Sequence, residues 1–162
     1  MSTLTQHESV LGLFEAAPAT FLSLRQLGKE SFYAQGMPAL KAEEYKFTPL
    51  AKKLESSLTE FHPAQRVEIS PEQVKSAVFP NFKGVVLVFS NGHFLAHLST
   101  TTEGLTINLL SEIENTPLGS IAKPDKDPFT ALNQATFTDG LHLSIDNKKS
   151  IESPILLLQF HQ

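Results

Sequence analysis

The sequence predicts an α+β protein in which all but one of the helices lie in the first half and the strands lie in the second. Ser70–Gln73 has the spacing of a capping box, which begins a helix. Asn91-Gly92 separates two apolar runs, as in a β-hairpin. Pro154–Phe160 is a largely apolar run typical of a strand buried on both faces. Together these patterns predict a helical domain at residues 1–79 and a strand-rich domain at residues 80–162.

Two helices are predicted in the first quarter of the chain. Thr5–Glu8 has capping-box spacing, and an apolar stripe that includes Phe14 follows it. A second helix should run from Ala19 to Gln35, where apolar residues recur at steps of three and four. Gly36 and Pro38 then provide the signals that end it.

Two shorter helices are predicted before the strands begin. Thr48-Pro49 has the pattern of an N-cap followed by proline at the first helical position, which predicts a helix through Leu54. The capping box at Ser70–Gln73 leads into a helical turn at Val74–Val78.

The strands are predicted from alternation and from turn residues. Val85–Ser90 and His93–Leu98 flank Asn91-Gly92, whose two residues both tolerate positive φ. Leu105–Leu110 and the alternating run Leu141–Ile145 are further strands.

One more helix is predicted between these last two strands. Asp127-Pro128 should cap a short helix that carries Phe129, Leu132 and Ala135 on one side. Asp139-Gly140 should then turn the chain into the next strand, with the glycine supplying positive φ.

Composition narrows the classes of function. The chain has no cysteine, which excludes disulfides, thiolate catalysis and cysteine-ligated zinc or iron–sulfur sites within it. The formal net charge is -4 without a clustered basic patch, so no nucleic-acid binding is predicted. The polar first residues and the short apolar runs predict neither a secretory signal nor a membrane span, and the cytoplasm is the expected location.

No catalytic, metal-binding or cofactor-binding residue is predicted. His93 and His97 are four residues apart in a predicted strand, which separates them by about 13 Å, too far to share a metal ion. Glu43 and Glu44 are adjacent, so they cannot face one site from one helix. The sequence contains neither a glycine-rich phosphate loop nor a Gly-x-Ser-x-Gly nucleophile turn.

Two stretches, residues 36–50 and 129–140, resemble the SufD family. The first follows the family's order of Gly-x-Pro, a basic residue, Glu-Glu, an aromatic, Lys, an aromatic, Thr and Leu, with Tyr45 where many members have tryptophan. The second, with Pro154-Ile155 after it, is similar to the Leu-Asn-x-Ala … Asp-Gly … Pro-Ile entrance to the β-helix that SufD shares with its paralogue SufB. Asn91-Gly92 matches the turn of the same region. The Glu-Glu-Tyr-Lys segment favours SufD over SufB.

The resemblance implies a fold and a role. The fold would be an amino-terminal helical lobe leading into the first coils of a right-handed parallel β-helix, truncated at the C-terminus. The parent protein would be a non-catalytic scaffold subunit of the SufBCD complex, which assembles iron–sulfur clusters. SufB would pair with it through the β-helix core, and the SufC ATPase would dock on a segment after residue 162. No cofactor is expected in this chain, because the cluster and, through SufC, the ATP belong to the whole complex.

Seven residues of these stretches are predicted to have structural roles: Glu43, Glu44, Tyr45, Lys46, Asn133, Asp139 and Gly140. Lys41 and Lys46 are charge partners available to the two glutamates. Tyr45 and Phe47 should pack as anchors between the helical lobe and the β-helix. Asn133 should satisfy backbone groups that tie its helix to the first coil.

Other interpretations remain open. Residues 1–79 could form a free-standing protein-binding module derived from the same family, or the chain could be a SufB-like paralogue. A carbohydrate-processing β-helix enzyme is disfavoured, because it needs clustered carboxylates and the strands contain almost none. The uncapped last strand predicts that the natural protein continues, and that the chain self-associates through an open edge.

Overall fold

The computed structural model describes residues 14, 20–38, 43–48, 50, 65–114 and 118–161. The elements in chain order are α1 (Leu22–Gln35), a 3-10 helix (Glu43–Tyr45), α2 (Pro71–Ala77), β1 (Val85–Ser90), β2 (His93–Phe94), a 3-10 helix (Ala96–Leu98), β3 (Leu105–Leu109), a 3-10 helix (Leu110–Glu112), α3 (Pro128–Thr136), β4 (Leu141–Ile145) and β5 (Ile155–Phe160). The helices predicted near Thr5–Glu8 and from Thr48 to Leu54 lie largely outside the described residues.

The predicted α+β class is confirmed, and the chain forms two compact units that interleave along the sequence. One unit contains α1, the 3-10 helix Glu43–Tyr45 and α3, and the other contains α2 and the five described strands. This grouping differs from the predicted division between residues 79 and 80, since α2 belongs with the strands and α3 belongs with α1. Which segments fold as independent domains stays a prediction.

The first unit is built on the crossing of α1 and α3. α1 begins at Leu22 rather than at Ala19, because Phe21 has a left-handed backbone with φ 62° and makes no side-chain cap. It ends as predicted at Gly36, whose φ of 69° suits glycine and whose N–H donates to the Phe32 carbonyl at 2.7 Å. Phe32 of α1 and Ala131 of α3 form the buried apolar core of this unit.

Gly28 allows the two helices to approach closely. A Cβ atom at this position would lie 2.7 Å from the backbone nitrogen of Ala135 and 2.9 Å from the carbonyl oxygen of Ala131. Such distances are shorter than a non-bonded contact allows, so only glycine fits here without displacing the α3 backbone. The small residues on α3 complete this fit, with Ala131 and Ala135 both buried.

In the second unit, α2 begins with the predicted capping box. The Ser70 hydroxyl accepts from the backbone N–H of Gln73 at 3.2 Å, and the Gln73 side chain accepts from the Ser70 N–H at 2.8 Å. The preceding Ile69 is buried with Val88 and Leu95, and Val74 of α2 packs against this cluster. Burial of Ile69 and Val74 therefore holds the helix start against the sheet.

The predicted hairpin is confirmed, although its second strand is short. Asn91 and Gly92 have φ of 45° and 84°, and β1 pairs with β2 antiparallel. The strand prediction was wrong after Phe94, because Ala96–Leu98 is a 3-10 helix. The Ser99 hydroxyl explains the change: it accepts from the Val88 N–H at 2.9 Å and donates to the Leu95 carbonyl at 2.9 Å, replacing strand pairing.

β5 pairs with β1 in parallel, in register from Val85↔Ile155 to Ser90↔Phe160. The sheet order is β2-β1-β5, so β1 lies in the centre and β5 lies at the edge. The prediction that the last strand is buried on both faces was wrong for the described structure, because Leu157 is 58% exposed. Leu157 is the register partner of the fully buried Leu87, but β5 has a paired strand on one side only, so its side chains have fewer neighbours on the same face than those of β1.

A second sheet consists of β3 and β4, paired antiparallel from Leu105↔Ile145 to Leu109↔Leu141. Leu105 is buried in one cluster with Val85, Leu87 and Phe89 of β1, so the two sheets of the unit share an apolar core. The described residues show these two sheets, and a β-helix coil stays a prediction. None of the described helices is both long enough and apolar enough to cross a membrane.

Candidate functional site

The two stretches singled out in the sequence meet in the first unit, at the beginning of α3. The Tyr45 hydroxyl donates a hydrogen bond to Oδ1 of Asp127. The Tyr45 ring packs edge-on against Phe129, with ring centroids 5.2 Å apart and an angle of 77° between the planes. Tyr45 therefore fastens the 3-10 helix Glu43–Tyr45 to the first turn of α3.

Asp127 is suited to this contact because it also caps α3. Its backbone is extended and Pro128 occupies the first helical position, so the carboxylate points back over the helix start. Its Oδ2 accepts from the backbone N–H of Thr130 at 2.6 Å and from the Thr130 hydroxyl at 2.8 Å. The Asp127 carboxylate thus accepts hydrogen bonds both from the N-terminus of α3 and from the Tyr45 hydroxyl.

Hydrogen bonds shift the pKa values of Tyr45 and Asp127 in opposite directions. The hydrogen bond to Asp127, with smaller contributions from burial and from the carboxylate charges, raises the pKa of Tyr45 to about 12. Partial burial opposes ionisation of Asp127, but hydrogen bonds from Tyr45 and Thr130 outweigh it and lower the pKa of the carboxyl group. The pair is therefore held with a neutral tyrosine and an ionised aspartate over the physiological range.

The rest of the Glu-Glu-Tyr-Lys segment faces solvent. Glu43 and Glu44 are exposed, and neither forms an ion pair with another described residue. The expected partner Lys41 lies outside the described residues, and the Lys46 ammonium lies 5.3 Å from the centre of the Phe47 ring. The prediction that Phe47 is a packing anchor was wrong, because its side chain is 90% exposed.

Arg25 is a buried charge that the sequence interpretation missed. The side chain is only 6% exposed. Its Nε donates to the Thr20 carbonyl at 2.6 Å, its Nη2 donates to the Phe137 carbonyl, and the guanidinium lies 4.9 Å from the centre of the Phe137 ring. Burial lowers the pKa of Arg25, and its Nη1 has no hydrogen-bond partner among the described residues. Its burial could have been predicted from its position on the apolar stripe of α1, four residues after Phe21.

The amide that joins α3 to α1 belongs to Gln134. Its Nε2 donates to the Leu24 carbonyl at 2.9 Å, and its side chain is buried. The neighbouring Asn133, singled out in the sequence, is exposed and makes no side-chain hydrogen bond to another described residue. Gln134 lies with Ala131 and Ala135 on the buried face of α3, whereas the predicted stripe of Phe129, Leu132 and Ala135 did not include this face.

In the second unit, Asp139 and Gly140 organise the start of β4. Asp139 accepts from the Ser111 hydroxyl at 2.6 Å, from the Ser111 N–H at 3.2 Å and from the Gly140 N–H at 2.8 Å. The prediction of positive φ at Gly140 was wrong. A Cβ atom there would lie 2.8 Å from Cδ1 of Leu110, the end of a flexible side chain that would have to shift. The Leu110 N–H donates to the Gly140 carbonyl at 2.8 Å across this close approach.

Neither His93 nor His97 belongs to a candidate metal-binding cluster among the described residues. His93 lies on β2 and His97 lies in the 3-10 helix that follows. Among the described residues, no group of three or more histidine, aspartate or glutamate side chains is arranged to hold a metal ion.

The geometry defines an α+β protein in which Tyr45 connects a 3-10 helix to α3 and Asp139 connects Ser111 to the start of β4. Residues 5–157, nearly the whole chain, match the family described as the SufBD protein N-terminal region. The chain therefore belongs to the SufBD family, which indicates involvement in iron–sulfur cluster assembly of the SufB and SufD type. A comparison with curated proteins found no match.

Proposed function

We propose that this chain is the amino-terminal part of a SufD-like subunit, a non-catalytic scaffold of the SufBCD iron–sulfur cluster assembly complex. The observation that carries the proposal is the family match over residues 5–157. That range includes both stretches, residues 36–50 and 129–140, on which the resemblance to SufD was based. The Glu-Glu-Tyr-Lys segment within the first stretch is the feature that favours SufD over SufB.

Tyr45 supports a structural role for that segment. It contacts Asp127 and Phe129, so it joins the first stretch to the helix that opens the second. In the proposed scaffold, this contact fixes the helical lobe in one conformation. Glu43, Glu44 and Lys46 stay at the surface, where they are accessible to another subunit.

The strand unit supports a parallel β-helix as the continuing fold. β1 and β5 are parallel and in register over six pairs, which is how successive coils of such a helix stack. Exposed apolar residues lie on the two strands β4 and β5: Leu143, Ile145 and Leu157. In the proposed full protein, a further coil pairs with β5 and covers these side chains.

The proposed partners follow from the scaffold role. SufB pairs through the β-helix core, and the SufC ATPase docks on a segment after residue 162, so that ATP-driven movement of SufC changes the SufB interface. The chain itself supplies no catalytic residue and no cofactor in this proposal. It acts in the cytoplasm, without binding nucleic acid or membrane.

Co-purification tests the proposal directly. The protein encoded at the source locus is expressed with a tag beside the SufB and SufC homologues of the same source, and the retained subunits are identified. Retention of both SufB and SufC is expected. Retention of a SufD homologue instead of SufB would identify a SufB-like paralogue, and retention of none of these subunits would overturn the proposal.

A further inference from the structure

The turn between β1 and β2 places a chemically labile dipeptide, Asn91-Gly92, at the surface of the strand unit. Asn91 is half-buried and Gly92 is exposed. Among the described residues, no atom beyond the adjacent ones lies within 4 Å of the position that a Cβ of Gly92 would occupy. The peptide bond after Asn91 is therefore open on the side where another residue would carry its side chain.

An asparagine followed by glycine is prone to deamidation, because no side chain hinders attack by the following backbone nitrogen. The Gly92 nitrogen gives up its proton and forms a bond to Cγ of Asn91, which closes a succinimide ring and releases the side-chain nitrogen as ammonia. Water then opens the ring at either of its carbonyl carbons, so that the product is aspartate or isoaspartate. The reaction consumes water and involves neither an oxidant nor a reductant.

The closed turn opposes this reaction. The φ angles of 45° at Asn91 and 84° at Gly92 are those of a type I′ turn, in which ψ of the first central residue is about +30°. That ψ places the Gly92 nitrogen on the side of the Asn91 Cα–C bond opposite to Cβ, whereas ring closure requires the same side. In addition, Nδ2 of Asn91 donates to the Gln65 carbonyl at 2.8 Å, which holds the amide in place. Deamidation therefore requires the turn to open.

Few contacts hold the turn closed. The Asn91 N–H donates to the Phe160 carbonyl at the end of β5 at 2.8 Å, in addition to the side-chain bond to Gln65. Across the hairpin, Phe89 and Phe94 are register partners whose ring centroids lie 5.5 Å apart. Because β2 contains only two residues, its separation from β1 breaks few hydrogen bonds. Local opening of the hairpin should therefore cost less free energy than unfolding of the whole unit.

We infer that Asn91 is a deamidation site whose reaction is controlled by local opening of the β1–β2 hairpin. The modified residue does not restore the original contacts, because its carboxylate at neutral pH has no proton to donate to the Gln65 carbonyl. Isoaspartate also adds a methylene group to the backbone of the turn, which disturbs the pairing of Ser90 with His93. The inference is independent of the scaffold function, because it depends only on the chemistry and geometry of the strand unit.

Incubation of the full chain at mildly alkaline pH, followed by peptide mass spectrometry, tests the site. Asn147 is the internal control, because it is exposed in a turn but is followed by Lys148, whose side chain hinders the attack. In the folded protein, Asn91 should be converted severalfold faster than Asn147, and about tenfold slower than Asn91 in the chain unfolded by urea. A folded-state rate at Asn91 no higher than at Asn147, or equal to that of the unfolded chain, would overturn the inference.

A variant pair and a urea series test the control by hairpin opening. Phe94→Ala removes the ring contact with Phe89 and should raise the rate at Asn91 severalfold. Phe79→Ala, which truncates an exposed aromatic of the same unit outside the hairpin, should change that rate by less than about twofold.

The urea series uses the wild type below its unfolding transition, so it does not depend on the folding of a variant. Because urea acts in proportion to the surface that an opening exposes, local opening gives a rate at Asn91 that depends weakly on urea. Equal acceleration by Phe94→Ala and Phe79→Ala, or a steep rise of the wild-type rate with urea, would show that the reaction proceeds through global unfolding. Either result would contradict control by the hairpin.

Discussion

In the unit of α1 and α3, a glycine, an arginine and a glutamine lie buried at the helix crossing, whereas the buried positions of β1 are mostly Val, Leu and Phe. The helices approach so closely at Gly28 that no side chain fits between them. The strands fill the space between their two sheets with large apolar side chains. Added atoms or lost hydrogen bonds should therefore lower the stability of the helical unit. Truncation of buried apolar side chains should lower the stability of the strand unit.

The largest effect is expected in the strand unit, from Leu87→Ala. Leu87 is fully buried, and its truncation should lower the free energy of unfolding by about 3 kcal/mol through lost burial and a new cavity. Leu157→Ala is the matched control, because Leu157 is the register partner of Leu87 on β5 but is 58% exposed. Urea denaturation should show a cost of about 1 kcal/mol or less for the control. Equal costs would show that Leu157 is covered in solution.

The next effect is expected in the helical unit, from Gly28→Ala. On an exposed helix this change is favourable by nearly 1 kcal/mol, but here the new methyl group meets the α3 backbone. We expect a net destabilisation of about 2 kcal/mol, measured by denaturation. Ser23→Ala on the exposed face of α1 is the control, with an expected change within about 0.5 kcal/mol. Stabilisation by Gly28→Ala would show that the helices are not packed this closely.

The strand unit was more predictable from sequence than the helical unit. Asn91-Gly92, Leu141–Ile145 and the Ser70 capping box each carry local signals, so their positions follow from a few neighbouring residues. The parallel pairing of β1 with β5 joins segments about seventy residues apart, and no local pattern specifies it.

The contacts of the site residues were also unpredictable where they join distant parts of the chain. Asp127 was predicted as a cap, which is a local property, but its contact with Tyr45 joins residues separated by 82 positions. Arg25 resembles an ordinary surface charge in sequence, and its burial depends on the position of Phe137. Phe47 was expected to pack because it is aromatic, yet no described neighbour covers it.

Asp127→Ala should have a smaller effect than Gly28→Ala, about 1–2 kcal/mol, because it removes the cap of α3 and the acceptor for Tyr45. Asp125→Ala is the control, since its carboxylate is exposed and contacts only the adjacent Lys126 at 3.5 Å among the described residues.

The lowered pKa of Asp127 stabilises the folded state at pH values above 3.8, the ordinary pKa of an aspartate. Stability should therefore fall in the wild type as the pH decreases below that value, and less so in Asp127→Asn.

The smallest effect is expected from Tyr45→Phe, which keeps the ring packing on Phe129 and removes only the hydroxyl. The expected cost is about 1 kcal/mol, the typical net contribution of one hydrogen bond, because the Asp127 carboxylate keeps its bonds to Thr130. Because the pKa of Tyr45 is raised from 10.0 to about 12, its stabilising contribution is present below pH 10 and is lost as the pH rises through 12.

Alkaline denaturation separates this hydrogen bond from ring packing. The wild type should lose stability more steeply than Tyr45→Phe between pH 10 and 12, the interval set by the shift. Combining Tyr45→Phe with Asp127→Asn closes a double-mutant cycle, in which a coupling energy above about 0.5 kcal/mol is expected for two side chains in direct contact. Equal alkaline slopes together with zero coupling would mean that the edge-on ring contact alone holds the 3-10 helix on α3. The helical unit would then resemble the strand unit, with stability arising from apolar packing.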